Sequence, residues 1–171
     1  SNYSPGGGFT TRPGMADVFV GDPAGTFSHV QALYAGDGQN WDRFGAALEL
    51  SGSGEVLLVG VPYRALFEGD PDVFNDGIPF TGAVEVFLRQ ADGSYQFHQE
   101  LAAPMAVGWE FFGQSLGLSR DGKLAVIGAP GAVGFEASGL DSGAVHVFAR
   151  RASGLFEYAQ ELANPLSYRS D

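Results

Sequence analysis

One stretch of this chain occurs twice, and that repetition limits the fold more than any other feature. Phe44-Gly45-Ala46-Ala47-Leu48-Glu49-Leu50-Ser51 lines up with Phe112-Gly113-Gln114-Ser115-Leu116-Gly117-Leu118-Ser119, 68 residues further on. The match runs without a gap through Val59-Gly60-Val61-Pro62 and Ile127-Gly128-Ala129-Pro130. Gly82-Ala83-Val84-Glu85-Val86-Phe87 then matches Gly143-Ala144-Val145-His146-Val147-Phe148 at an offset of 61, as Gln99-Glu100-Leu101 matches Gln160-Glu161-Leu162. The loop between the two blocks is therefore seven residues longer in the first copy, and length differences of this kind belong in loops. A weaker third copy lies upstream, where Gly14-Met15-Ala16-Asp17-Val18-Phe19 and Gln31-Ala32-Leu33 stand 68 residues before their counterparts. A chain that repeats one unit builds the same supersecondary structure each time and buries it by stacking the copies.

Each copy reads as four short strands, because four apolar segments are separated by clusters of Gly, Ser, Asp and Pro. In the last copy they fall at about 112–118, 123–129, 143–150 and 155–162. Ser51-Gly52-Ser53-Gly54 and Ser119-Arg120-Asp121-Gly122 are tight hairpin turns between the first two strands. With 26 Gly, 14 Phe and two Met, the composition suits strands and turns better than long helices. Leu124, Val126, Ala129, Val145, Val147 and Phe148 place apolar groups on both faces of such a sheet. Sheets of this kind stack around an axis as the blades of a propeller, with a two-sheet sandwich of about ten strands as the alternative.

Phe112-Gly113-x-Ser115-Leu116, then Asp121-Gly122-Lys123-Leu124-Ala125-Val126-Ile127-Gly128-Ala129-Pro130, then Ser142-Gly143-Ala144-Val145-His146-Val147-Phe148 resemble the FG-GAP repeat. Integrin α-subunit propellers are its best-known carriers, and the resemblance extends from about residue 14 to 163. It implies an all-β, partial β-propeller of four-stranded antiparallel blades. Residues 1–13 are then a Gly/Pro-rich extension, 14–43 a half blade of third and fourth strands, 44–111 a complete blade, and 112–171 a complete blade with a tail. Two blades and a half fall short of a ring, so the chain is expected to be a segment of a longer polypeptide or to be completed by another subunit.

Integrin-type repeats carry an acidic calcium loop between their first two strands. Here that loop holds no carboxylate in the first full copy and only Asp121 in the second, too few for the six to eight oxygens Ca²⁺ prefers. A separate acidic cluster, Asp70, Asp72, Asn75 and Asp76, lies in the long loop between the second and third strands of the middle copy. It is the candidate site for a hard cation such as Ca²⁺; no other cofactor is expected. Gly113-Gln114-Ser115-Leu116-Gly117 fits the pattern of a hydrolase nucleophile elbow, but Ser115 falls within a strand, its counterpart is Ala47, and no helical pattern follows. His29, His98 and His146 fall at different places in the repeat and form no recurring ligand set. Asp17, Glu85 and His146 share a repeat position that reads as a polar slot on the third strand. Trp41 and Trp109 each precede a Phe-Gly pair by three residues, as blade-packing or ligand-stacking rings. Asn2-Tyr3-Ser4 fits the N-glycosylation pattern, marking Asn2 as a modification candidate.

With 20 acidic and nine basic side chains the net charge is −11, which opposes binding to nucleic acid. No apolar run reaches the length of a membrane helix. The expected function is that of a non-enzymatic structural or protein-interaction module, an adhesion or scaffold part at the cell surface or outside the cell. Its expected partners are a protein, the remainder of its own polypeptide, a glycan, or the neighbours in a large assembly. The alternative is an accessory propeller domain of a larger secreted enzyme. The variable loops Glu68–Phe80 and Gly131–Asp141 are the expected contact surface.

Overall fold

The computed structural model describes residues 14–36, 42–65, 80–105, 108–132 and 143–163, and among these it is all-β. The strands are β1 (Ala16–Gly21), β2 (Phe27–Leu33), β3 (Leu48–Leu50), β4 (Val56–Val61), β5 (Ala83–Arg89), β6 (Tyr95–Leu101), β7 (Ser115–Leu118), β8 (Leu124–Ala129), β9 (Ala144–Arg150) and β10 (Phe156–Ala163). They form a two-stranded sheet β1-β2 and two four-stranded sheets, β3-β4-β5-β6 and β7-β8-β9-β10, in which every neighbouring pair is antiparallel.

The same local chemistry shapes both complete sheets. The Ser51 hydroxyl accepts a hydrogen bond from Val56 N at 3.0 Å, and the Ser119 hydroxyl accepts one from Leu124 N at 2.9 Å. Each serine thereby closes the turn between the first two strands, where Gly54 and Gly122 take φ of +70° and +68°. Every third-to-fourth strand pair contains a register shift, at Val18/Phe19, Val86/Phe87 and Tyr158/Gln160. A bulge of this kind bends the strand and increases its twist.

The first strand of the last sheet begins at Ser115, three residues later than the sequence pattern suggests. Phe112 instead leaves its own sheet and forms a parallel bridge to Gly82 of the preceding one, as Phe44 does to Gly14. A Cβ at Gly82 would lie 2.2 Å from the Phe112 carbonyl oxygen, and its φ of +80° is itself a conformation that favours glycine. The Phe-Gly and Gly-Ala segments of the repeat are thus the stitch between one sheet and the next.

Two apolar layers lie between the three sheets. Ala16, Leu33 and Ala35 of the half blade pack with Phe44, Leu57, Val59, Val61, Phe87 and Tyr95. The opposite face of the middle sheet, with Val56, Leu58, Val84 and Val86, packs with Phe112, Ala125, Ile127, Phe148 and Phe156 of the last. The middle sheet is therefore buried on both faces, and β4 is buried along its whole length. Burying a side chain such as Leu58 contributes about 1.5–3 kcal/mol relative to leaving it exposed.

Candidate functional site

Two groups of side chains stand out: a largely buried charged cluster between the first two sheets, and an aromatic cluster beside the segments that precede the first strand and follow the second.

Arg64, three residues beyond Val61 at the end of β4, is the buried hub of the charged cluster. Its Nη2 donates to Glu85 Oε1 at 2.9 Å, its Nη1 donates to Glu100, and its Nε lies 3.4 Å from Asp42 Oδ2. Its own carbonyl accepts from Gly82 N at 3.0 Å and from the Thr81 hydroxyl at 3.2 Å. Three carboxylates surround one guanidinium, Asp42 and Glu85 buried with it and Glu100 reaching in from the exposed edge. Burial accordingly holds the Glu85 carboxyl above its usual range, although Arg64 and the Gly36 N–H pull the other way.

The corresponding place in the last sheet has different chemistry. Ala132 takes the position of Arg64, its carbonyl accepting from Gly143 N at 3.0 Å as the Arg64 carbonyl accepts from Gly82. His146 takes the position of Glu85 and is buried against Phe112 and Tyr158, with ring centroids 5.4 and 6.2 Å away. Neither of its ring nitrogens has a hydrogen-bond partner among the described residues. Burial lowers its pKa, with Glu161 across the ladder acting in the opposite sense. The third member of the set, Asp17, is not buried like the other two; it pairs with His29 at 2.9 Å on the outer side of the half blade. The three residues share a register position without forming one site.

Tyr63, Phe80, Trp109 and Phe111 form the aromatic cluster, with ring centroids 4.8 to 6.4 Å apart. The Arg43 guanidinium lies 4.1 Å from the centre of the Tyr63 ring, a favourable cation–π arrangement. Arg43, Phe80, Trp109 and Phe111 all have φ between +54° and +59°, a costly backbone for side chains of this size. Arg43 and Phe111 each precede a Phe-Gly pair, so at those two positions the left-handed turn belongs to the repeat and feeds the stitch. Trp109 stands 55% exposed on this cluster. It meets Phe80 and Phe111 edge-to-face and is only partly covered by them.

The remaining sequence candidates separate clearly. Asp70, Asp72, Asn75, Asp76, Asn2 and Trp41 lie outside the described residues, as do nearly all of the loops Glu68–Phe80 and Gly131–Asp141. Among the described residues no group of three or more His, Asp or Glu is arranged to hold a metal ion. Asp121 is engaged by its own turn, accepting from the Ser119 hydroxyl at 2.6 Å and from Lys123 N at 3.2 Å, and these bonds lower its pKa. Ser115 lies on β7, and His98 contacts the Gly154 carbonyl at 3.3 Å across the sheet boundary. Arg64 escapes a reading by repeat because its counterpart is Ala132; the signal for it was Glu85, an acid in an apolar strand that needs a counter-charge.

A family profile for the FG-GAP repeat matches residues 96–148. No curated protein sequence matches the chain. Among solved structures, the periplasmic gluconolactonase PpgL of Pseudomonas aeruginosa is similar over 88% of this chain, with a TM-score of 0.51 and 18% identity. The chain spans about a third, 34%, of that protein's length. At this identity the likeness concerns the fold. No helix among the described residues is long and apolar enough to cross a membrane. Residues 96–148 thus carry an FG-GAP repeat, and the stacked sheets around them are part of an open β-propeller.

Proposed function

We propose that this propeller segment is a non-enzymatic interaction module, an adhesion or scaffold part of a larger extracellular or cell-surface protein or assembly. Its contact surface is the rim that carries Tyr63, Phe80, Trp109 and Phe111, continuing into the loops Glu68–Phe80 and Gly131–Asp141. The half-exposed Trp109 on its bed of rings supports this reading most strongly. Large aromatics and arginine on a rigid frame are the groups that anchor protein interfaces. The buried ionisable groups support it from the other side. Arg64, Glu85 and His146 are buried, and among the described residues they contact neighbouring side chains of the packed interior.

The experiment screens the full chain and its Trp109→Ala variant against purified extracellular-matrix proteins and a glycan array. Binding by the parent that weakens about thirtyfold or more in the variant, at unchanged melting temperature, supports the proposal; that factor corresponds to an anchor worth about 2 kcal/mol. The same preparation is incubated with gluconolactone, the compound class named for the structural neighbour. Turnover above the buffer rate would replace the interaction reading with an enzymatic one.

A further inference from the structure

We propose that the charged cluster around Arg64 and the aromatic rim form one acid-sensitive unit, in which Arg64 is the positioning residue that holds Tyr63 and Phe80 in place.

The two groups share their backbone. Asp42-Arg43, Tyr63-Arg64 and Phe80-Thr81 are three pairs of neighbours in which one residue is buried and the other lies toward the surface. Asp42, Arg64 and Thr81 are 4%, 8% and 1% exposed and belong to the charged cluster, while Arg43, Tyr63 and Phe80 belong to the rim. Main-chain hydrogen bonds join the pairs. Tyr63 N donates to the Asp42 carbonyl at 3.2 Å, Gly82 N to the Arg64 carbonyl at 3.0 Å, and Phe111 N to the Phe80 carbonyl at 3.1 Å. The path from the Arg64 guanidinium to the Phe111 and Trp109 rings is therefore contiguous, as coupling between two groups requires. The last blade offers a control: Gly131 and Ala132 stand where Tyr63 and Arg64 stand. The buried charge and the outward ring occur together in one copy and are missing together in the other.

The rim backbone needs such support. Arg43, Phe80, Trp109 and Phe111 all hold left-handed φ values, which cost free energy and persist only where the surroundings fix them. Beside Arg43 and Phe80 that fixing comes from Asp42 and Thr81, and both are tied to Arg64. Asp42 meets its Nε, and the Thr81 hydroxyl donates to its carbonyl at 3.2 Å.

Acid reaches this unit through Glu85. The charged groups gathered with it are Arg64, Glu100 on β6 and Asp42 on the segment before β3, and the Gly36 N–H reaches it from the half blade. Burial raises the Glu85 pKa, Arg64 opposes the rise, and the Glu100 charge adds to it. Protonation relieves the burial of a charge, and it also leaves Arg64 with Asp42 and Glu100 as its only charged partners among the three. The hold on Tyr63 and Phe80 then slackens, so that a partner bound to the rim at neutral pH is released in acid. That consequence rests on the rim being the contact surface proposed above; the coupling itself does not.

The test follows the fluorescence of Trp109 as the pH is lowered from neutrality, in the full chain carrying Trp41→Phe so that one tryptophan is left. The expected result is a reversible change in emission with its midpoint above 4.5, at unchanged far-UV circular dichroism. Glu85→Gln in the same background abolishes the change. Glu100→Gln, at a side chain 39% exposed, moves the midpoint down, because a charge that helps to hold the proton on Glu85 is gone. Three results overturn the proposal. One is an emission that stays constant until the strands unfold. Another is a change that persists in Glu85→Gln, which would assign it to Glu110 between Trp109 and Phe111. The third is a midpoint in Glu100→Gln equal to that of its parent. Failure of the binding screen counts against the contact surface and leaves this titration as it is, so the two readings fail separately.

Discussion

β4 and β8 are both written in aliphatic residues around one shared glycine position, Val56-Leu57-Leu58-Val59-Gly60-Val61 and Leu124-Ala125-Val126-Ile127-Gly128-Ala129, yet they live in different surroundings. β4 is buried throughout, while β8 alternates between buried and exposed residues. The hydrophobicity of the two strands is alike; what differs is whether a sheet lies on the second face. The other end of the molecule repeats the pattern. Tyr95 and Phe156 are 8% and 2% exposed on the blade before them, while Phe27 at the same repeat position is 71% exposed. In a stacked repeat, burial is a property of the neighbour as much as of the residue, and terminal faces are unsatisfied copies of internal ones.

The largest expected effect comes from the charged cluster, where the two complete blades differ most. Arg64→Ala leaves Glu85 buried without its counter-charge and should cost about 3–5 kcal/mol in chemical denaturation. Adding Glu85→His rebuilds the Ala132/His146 combination of the last blade in the middle one, and more than half of the loss should return. If the double variant is as unstable as Arg64→Ala, the two blades are not interchangeable at this position.

Gly82→Ala should destabilise by more than about 2 kcal/mol, since it combines a positive φ with a collision against the Phe112 carbonyl. Gly143→Ala carries only the conformational cost and should lose about 1 kcal/mol. Equal losses in the two variants would mean that the stitch to the next blade contributes nothing. The fourth-strand glutamines offer a finer comparison. Gln99→Ala removes two hydrogen bonds to Phe156 and should cost about 1–3 kcal/mol, whereas Gln160→Ala should stay within about 0.5 kcal/mol.

The smallest effect is a pH dependence. Burial holds His146 neutral at a pH where the unfolded chain, titrating at 6.5, already takes up a proton. Stability contributed at this position is therefore complete above 6.5 and falls as the pH drops through that value, levelling once the folded ring also protonates. Glu85 acts in the opposite sense. Its raised folded pKa makes the folded chain bind the proton first, so its contribution improves as the pH falls toward 4.5. Denaturation of the parent and of His146→Phe at successive pH values separates the two, because only the parent should lose stability relative to the variant below 6.5.

The repeat made the four-stranded unit, its turns and its order legible, because Phe-Gly, Gly-Ala-Val and Gln-Glu-Leu recur at fixed offsets. The role of those residues between blades was not legible. Phe112 read as the start of a strand, but its backbone serves the sheet before its own. Gln31 and Gln99 read as markers of alignment, since a polar residue near a strand end is normally just solvated; their bond to the next blade appears only when the sheets are stacked. Arg64 was hidden for the opposite reason, as a residue that one copy has and the other lacks. The rim cluster brings Tyr63, Phe80, Trp109 and Phe111 together from three segments that no periodicity connects.

Hydroxyl-radical footprinting of the intact chain tests most directly whether neighbouring blades decide what is covered. At matched repeat positions, Leu124 and Val126 should be oxidised readily while Val56 and Leu58 stay protected. Equal modification of the two pairs would contradict the stacked, open-ended propeller.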